Sequence, residues 1–554
     1  MNILLINHYA GSVHHGMEYR PYYLAREWVR RGHRVYIVAA SCSHLRQQAP
    51  DAGTGPRTEQ NIDGIRYIWL RTPPYRGNGA ARVRNMLAFV ARLWREAPRL
   101  ARSVAPDAVI ASSTYPLDIW PAHRIARLAG ARLLHEVHDL WPLSPIELGG
   151  YSRRHPFIML LQAAENHACR HADAIVSILP KVREHLEARG MAPHKLHIIP
   201  NGADPDEWTV TSGPVAPAAP VPVAPTADIP RSAGLAGSRT ATADPTTTPT
   251  MPGLAPDRTP ALAESCNASD GLRAGPAARP TLTLVKSATS PGSGKPWPGT
   301  QAGPATGCIG QANVWSRANP DPAASIIGAT APGNGVAETA LALARQAAPS
   351  LPLLPPELSK LLGQLRGQGK TIVAYAGSHG TANALDTLLD AARLLHDQPL
   401  AFVLVGAGPE KERLQQKAQR RELAQVHFAA PIAKRHIPAL LASIDIAFLG
   451  WQRQPLYRFG IAPNKLLDYM MAGCPVLHAV EAGNDPVAET GCGVSVAPDD
   501  PSALAEGLAR LMALDPRTRR ALGERGRRHV LDHLSYPVLA RRFLSVLAQE
   551  THHA

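Results

Sequence analysis

Cysteine is scarce in this sequence, and the few that occur stand apart. The 554 residues contain Cys42, Cys169, Cys266, Cys308, Cys474 and Cys492. None forms a close pair, so neither a disulfide framework nor a zinc site is indicated, and a reducing cytoplasm fits best. Long apolar runs are missing too. No stretch approaches the roughly 20 residues a membrane-spanning helix needs. The opening MNILLINHYA has an apolar core too short, and too uncharged in front, for a signal peptide. The chain is therefore expected to be soluble or peripheral. Acidic residues are outnumbered, 44 against 58 basic ones, giving a formal net charge of +14. Such a field favours nucleotides, nucleic acid or an anionic membrane face without choosing among them. Nucleic acid is disfavoured, because no module with suitable aromatics accompanies the charge.

Aromatic residues almost vanish in the middle of the chain. Between Trp208 and Tyr375 only Trp297 and Trp315 occur, while residues 214–356 hold 24 of the 52 prolines. A segment of that composition cannot bury enough apolar surface to offset its chain entropy. Residues 209–354 therefore read as a mostly disordered, Pro/Ala-rich insertion, with at most a short helix near GVAETALALARQAA and no internal repeat. A tolerated insertion in an interdomain connection is preferred over a partner-recruiting tether, since loops accept length at little thermodynamic cost.

On either side of that gap the pattern is regular. NILLIN (2–7), VYIVAA (35–40), DAVIAS (107–112), ARLLHEV (131–137), DAIVSIL (173–179) and LHIIP (196–200) read as buried parallel strands with helical stretches between several of them. TIVAYAG (371–377), AFVLVG (401–406), DIAFLG (445–450), PVLHAV (475–480) and GVSVAP (493–498) repeat the pattern. Two doubly wound α/β domains are predicted, over 1–208 and 355–515, followed by helical stretches at about 516–533 and 536–550. The extension 516–554 is expected to pack back toward the first domain.

The stretch YRFGIAPNKLLDYMMAGCPV (457–476) carries the most specific signal. Pro463 suits a first helical position and Gly473 a terminus, predicting a helix from Pro463 to Ala472. Its free amides and partial positive charge, with the uncrowded Gly460 and Ala462 in front, outline an anion site. Lys465 in the first turn opposes the helix dipole unless an anion neutralises both, and phosphate is the natural candidate.

This ordering resembles a GT-B glycosyltransferase of the large retaining family 4, in its bacterial branch that builds surface polysaccharides such as O-antigen and capsule. The landmarks are the N-terminal stretch through GSVHHG and RPYYLAREWVRRGHRV, EVHDLWPLSP (136–145), ADAIVSILPKVREHL (172–186), IIPNGADPDEW (198–208), VAYAGSHG (373–380), FVLVGAGPEKERL (402–414) and the 457–476 stretch. They cover nearly all of residues 1–208 and 355–554. The resemblance implies two Rossmann-like domains facing a cleft, with the nucleotide-sugar on the C-terminal side and the acceptor on the other. The family signature places a glutamate against the donor sugar and a second against the ribose. Asp468 stands at the second position, and Gly460 stands at the first. Backbone amides of Gly460, Ile461 and Ala462, with Asn464 beside them, are then left to hold the donor, and Lys465 matches a diphosphate position. After TIVAYAG, where many members carry an arginine and a lysine, Gly377 is followed by only His379 as a candidate, with Lys434 or Arg435 as helpers.

On the acceptor side the loop Gly11 to Gly16 brings His14, His15 and Gly16 to the cleft in the resembling enzymes, with Arg20 nearby. Without the resemblance a plain turn would be preferred. His138 and Asp139 end a strand and could position the acceptor hydroxyl or take part in its proton transfer. The plainer alternatives are a hydrogen-bonded strand end and a helix cap. GAGPEKERL lacks a dinucleotide-fingerprint spacing and reads as a tight turn at least as readily as a nucleotide contact. No metal or other cofactor is expected, in keeping with the resemblance. Over 81–102 an apolar stripe of Val83, Met86, Leu87, Val90, Leu93 and Trp94 lies beside Arg92, Arg95, Arg99 and Arg102. It suits either an ordinary packed helix or contact with the anionic inner membrane face.

The reading that results is a retaining hexosyltransferase, cytoplasmic or peripheral. It would move a hexose or N-acetyl aminosugar from a UDP-type, or alternatively GDP-type, donor to a hydroxyl of a lipid-linked oligosaccharide. A GT-B nucleotide-sugar epimerase and a degenerate noncatalytic scaffold subunit are the alternatives.

Overall fold

A computed structural model describes residues 1–16, 19–51, 53, 55–75, 77, 79–208 and 353–548. All but the last two residues of the expected insertion, including its short helix, lie outside these. The described residues fall in one compact unit. Its first sheet comprises β1 (Asn2–Ile6), β2 (Arg34–Ala40), β3 (Arg57–Ile62), β4 (Ile65–Leu70), β5 (Ala108–Ala111), β6 (Arg132–Val137), β7 (Ala174–Ser177) and β8 (Leu196–Ile198). The spatial order is β3-β4-β2-β1-β5-β6-β7-β8. The second sheet comprises β9 (Thr371–Ala376), β10 (Leu400–Val405), β11 (Val426–Ala429), β12 (Ile446–Gly450), β13 (Val476–Ala479) and β14 (Gly493–Ser495), in the order β11-β10-β9-β12-β13-β14.

Every neighbouring pair is parallel except β3 with β4. Most of the central strands are apolar because helices cover both faces; β6, with buried His135 and Glu136, is an exception. β10 and β12 are buried at every position. The two doubly wound domains predicted from the sequence are thus present.

Three strands were not predicted. The hairpin β3–β4 turns at Asp63 and Gly64, both at positive φ (51° and 81°), the two-residue turn that Asp-Gly favours. Its outer strand, RTEQNI, lies at the sheet edge and is largely solvent-facing, so it has no apolar run to betray it. β11 is likewise a short edge strand.

In each sheet the strand order reverses once, between β1 and β5 and between β9 and β12. Ligands of such sheets bind beyond the carboxyl ends at these reversals. The loops after β1, β5, β9 and β12 are therefore where a site belongs.

The C-terminal helix Tyr536–Ala548 returns to the first domain and packs on the helix Tyr19–Arg30. Ala203 pairs with Ser535, and Trp28 Nε1 donates to the Ala540 carbonyl at 3.2 Å. Phe543 is fully buried, edge-on to Trp28 at 5.3 Å. Phe543→Ala should destabilise the fold by about 3–5 kcal/mol through cavity formation. Denaturant titration of the variant checks this, and a loss within error would mean that the helix does not tie the domains together.

Candidate functional site at the interdomain seam

On the C-terminal side the site is built around Lys465. The helix carrying it is Asn464–Met471, one residue shorter at each end than predicted. Pro463 has an extended ψ of 129° and acts as the capping residue outside the first turn. Lys465 Nζ donates to Tyr375 Oη at 2.7 Å and to Asn383 Oδ1 at 2.9 Å, and lies 4.6 Å from the Tyr375 ring centroid. The ammonium lies over Gly377, where a Cβ would come within 2.6 Å of Lys465 Cε and 2.8 Å of Nζ. Only a bare backbone leaves room for it. These partners are neutral, and no ion pair joins Lys465 to a carboxylate among the described residues. Burial pulls its pKa down to about 8. A half-desolvated cation without a counter-charge, at a strand-order reversal, is prepared for an anion.

Asp468, one turn further on, is partly buried, and its carboxylate has no hydrogen bond among the described residues. Burial raises its pKa to about 7, with Lys434 opposing and Glu207 reinforcing that rise. A carboxylate left without internal donors can still accept from ligand hydroxyls. Asn464 is exposed at the helix start.

The loop in front of the helix departs from expectation. Gly460 sits at φ 93°, and a Cβ there would lie 2.5 Å from Pro180 Cδ, so neither a glutamate nor any other side chain fits. Its amide donates to the Tyr457 carbonyl at 2.9 Å, and the Ile461 amide donates to Asn484 Oδ1 at 2.7 Å. Two of the three amides expected to hold the donor are therefore engaged internally. Ala462 keeps its amide without a partner among the described residues, while its carbonyl accepts from Asn201 Nδ2 at 2.8 Å.

His379 also departs. It is fully buried, neither ring nitrogen has a partner, and burial with nearby Lys411 and Lys465 drives its pKa down to about 4. Its side chain offers no edge to a diphosphate. Lys434 is not a free helper either, because its Nζ pairs with Glu207 Oε2 at 3.0 Å and lies 4.7 Å from the Tyr19 ring centroid. It ties the second domain to the last residues before the insertion.

Across the seam, the loop after β7 meets the loop after β12. The Lys181 amide donates to the Phe459 carbonyl at 2.9 Å. Arg458 grips Glu147 in a bidentate pair at 2.7 and 2.8 Å. The carboxyl edges of the two sheets thus face a shared gap.

The acceptor-side candidates divide. The Gly11 carbonyl accepts from Tyr67 Oη at 2.8 Å, and the Gly16 amide closes a tight turn on the Ser12 carbonyl at 2.9 Å. His14 is exposed at the tip of that turn, whereas His15 turns inward, with Nδ1 2.8 Å from Ser12 Oγ and its ring against Trp69. Arg20, expected near the acceptor, is buried. Its guanidinium lies 2.9 Å from Glu136 Oε1 and donates to the Ile199 and Pro200 carbonyls at 2.8 and 2.5 Å. Four of its five N–H donors are thus engaged within the protein.

Asp139 caps its own turn, accepting from the Leu140 amide at 2.8 Å, Ser144 Oγ at 2.6 Å and Trp141 Nε1 at 3.1 Å. It is not the cap of the following helix Leu143–Glu147, whose capping residue is Pro142; its carboxylate is occupied by these three donors. His138 alone of that pair keeps its candidacy, with Nε2 2.9 Å from Ser112 Oγ and 3.2 Å from Glu136 Oε2.

The sequence reading missed Tyr375, Asn383, Glu136 and Glu207. A carboxylate inside the apolar run ARLLHEV was the one local signal, pointing to Glu136. The others depend on tertiary approach. Among the described residues, no group of three or more His, Cys, Asp and Glu side chains is arranged to hold a metal ion, and no helix is long and apolar enough to cross a membrane.

Comparison with known proteins agrees with this architecture. Residues 15–202 match the model of a glycosyl transferase 4-like domain, and residues 363–529 match glycosyl transferases group 1. A protein of Escherichia coli (strain K12), assigned as the colanic acid biosynthesis glycosyl transferase WcaI, is 31% identical over 149 residues, 26% of this chain and 36% of that protein. A protein of Pseudomonas aeruginosa, assigned as the glycosyltransferase WbjE, is 25% identical over 167 residues, 29% of this chain and 41% of that one. The matched stretches thus span less than half the length of either relative. The structure of Anabaena HepE in complex with UDP-glucose superposes with a TM-score of 0.51 at 12% identity, covering 99% of each chain. That likeness is one of fold. With the two matched domains in tandem, and two doubly wound sheets whose carboxyl edges face each other, the chain belongs to the GT-B glycosyltransferases.

Proposed function

We propose that this chain transfers a sugar from a nucleoside-diphosphate donor, UDP-type in the first instance, to a hydroxyl of a lipid-linked glycan in surface polysaccharide biosynthesis. The observation that carries this is the uncompensated ammonium of Lys465 lying over the bare backbone of Gly377. It occupies the position where a leaving diphosphate develops charge, and a preorganised cation there stabilises the transition state. Asp468 accepts from the ribose hydroxyls, and Ala462's amide adds a donor. His138 faces the acceptor hydroxyl. Leaving group and incoming hydroxyl share one face of the sugar, so the configuration is retained and the protein contributes mainly positioning and charge. The carbohydrate-polymer assignment of WcaI and the UDP-glucose bound to HepE support the substrate classes. No metal is needed in this scheme.

The lipid-linked acceptor calls for contact with the cytoplasmic membrane face. Leu87 and Trp94, 43% and 44% exposed, lie on the arginine-rich helix Ala80–Val104, with Arg124 stacked 4.7 Å from the Trp94 ring centroid. Basic and apolar groups interleaved in this way suit an anionic bilayer surface.

The reading has a pH signature. Asp468, raised by burial to about 7, is ionised only above that value, and Lys465, lowered by burial to about 8, is cationic only below it. The profile of kcat/KM, which reports the free enzyme, should be a narrow bell between these limits. A profile flat through this range would contradict it. The function itself is tested with a panel of radiolabelled UDP- and GDP-sugars and membrane extract. Transfer from at least one donor is expected. No transfer from any donor, with Lys465→Ala indistinguishable from wild type, would overturn the proposal.

A further inference from the structure

One buried carboxylate is used by no step above. Glu136 lies in β6 and is 1% exposed. Oε1 faces Arg20, with Nε at 3.0 Å and NH2 at 2.9 Å. Oε2 accepts from Ser112 Oγ at 2.6 Å and lies 3.2 Å from His138 Nε2. Burial by itself would raise its pKa, but the Arg20 charge, His138 and the Ser112 hydroxyl outweigh that and hold it well below the ordinary carboxylate range. Glu136 is therefore an anion.

The protons can then be placed one by one. Ser112 has a single hydroxyl hydrogen, and the 2.6 Å contact with an ionised carboxylate engages it as donor. Its oxygen also receives a long hydrogen bond from Asn7 Nδ2 at 3.4 Å. Toward His138 Nε2, 2.9 Å away, Ser112 can only accept. Glu136 Oε2 can only accept as well. Two acceptors converge on Nε2, so Nε2 carries a hydrogen whether the ring is neutral or protonated. Nδ1 has no partner among the described residues, and the side chain keeps 12% exposure at the carboxyl end of β6.

We infer that Glu136, together with Ser112, is a positioning residue that fixes His138 as the Nε2–H tautomer and leaves Nδ1 as the proton-accepting atom toward the acceptor hydroxyl. The last clause rests on the transferase reading, whereas the tautomer does not. Acting as base, His138 takes the hydroxyl proton on Nδ1 as the new glycosidic bond forms and the donor's sugar–phosphate bond breaks. The pair of electrons leaves with the diphosphate, and the imidazolium is stabilised by Glu136. Besides Glu136 and Ser112, the titratable groups that feel His138 are His135 on its own strand and buried Asp118 in the turn after β5, with Arg20 behind the carboxylate.

Nitrogen-15 NMR of the full chain labelled at histidine reads the tautomer without any activity assay. His138, assigned by its loss in His138→Gln, should show a protonated Nε2 and a bare Nδ1 in its neutral form. In Ser112→Ala, and in Glu136→Gln where that variant folds, the neutral ring should become a mixture of the two tautomers. In Glu136→Gln kcat should drop at least about tenfold with the donor KM unchanged. A wild-type ring protonated at Nδ1, or a His138 spectrum indifferent to Ser112→Ala, would overturn the inference. A correct tautomer in a chain that transfers no sugar would instead overturn the functional reading and leave the tautomer assignment standing.

Discussion

Lys465→Ala is expected to lower kcat/KM for the nucleotide-sugar by about a hundred- to a thousand-fold, roughly 3–4 kcal/mol of transition-state stabilisation. The size follows from how little else can replace it. The sequence offered His379, Lys434 and three backbone amides as co-stabilisers, but His379 is buried, Lys434 is paired with Glu207, and the amides of Gly460 and Ile461 are engaged within the loop. In the proposed transfer the diphosphate charge would then rest on Lys465 with Ala462's amide and the helix start. Steady-state kinetics over a range of donor concentrations check this. The fall should appear in kcat as well as KM, because the charge the ammonium meets grows toward the transition state. A change confined to KM would make Lys465 a binding residue only.

The second large effect is on stability. Arg20→Met should lower the unfolding free energy by about 3–5 kcal/mol, because it leaves Glu136 as an uncompensated charge in a dry interior. It also removes the donors to the Ile199 and Pro200 carbonyls. Arg30 provides the control. Its guanidinium pairs with Glu27 and Asp206, but its side chain is 49% exposed, and Arg30→Met should cost less than about 1 kcal/mol. Equal effects in a denaturant titration would mean that burial of the Arg20–Glu136 pair does not set its contribution.

What could be read from sequence depended on how local the cause was. β1, β2, β9 and β10 declare themselves because a strand covered on both faces is apolar along nearly all its length. The helix after Pro463 was placed within a residue at each end by its proline and glycine. The same stretch misled about its amides. Gly460 looked like an open anion loop, yet its conformation answers to Pro180, 280 positions earlier in the chain, and the Ile461 amide answers to Asn484. Arg20 and Glu136 are separated by 116 residues, so nothing near either one showed that they neutralise each other. Lys465 was legible for the opposite reason. A lysine opposing the dipole of its own helix is a local conflict, and such conflicts mark function more often than structure does.

The central claim is that the pyrophosphate of a donor lies against the ammonium of Lys465, beside the loop after β9. The structure of the full chain with UDP bound tests it directly. The account predicts phosphate oxygens within hydrogen-bonding distance of Lys465 Nζ and the ribose hydroxyls on Asp468. A nucleotide bound elsewhere, with Lys465 still held only by Tyr375 and Asn383, would contradict it.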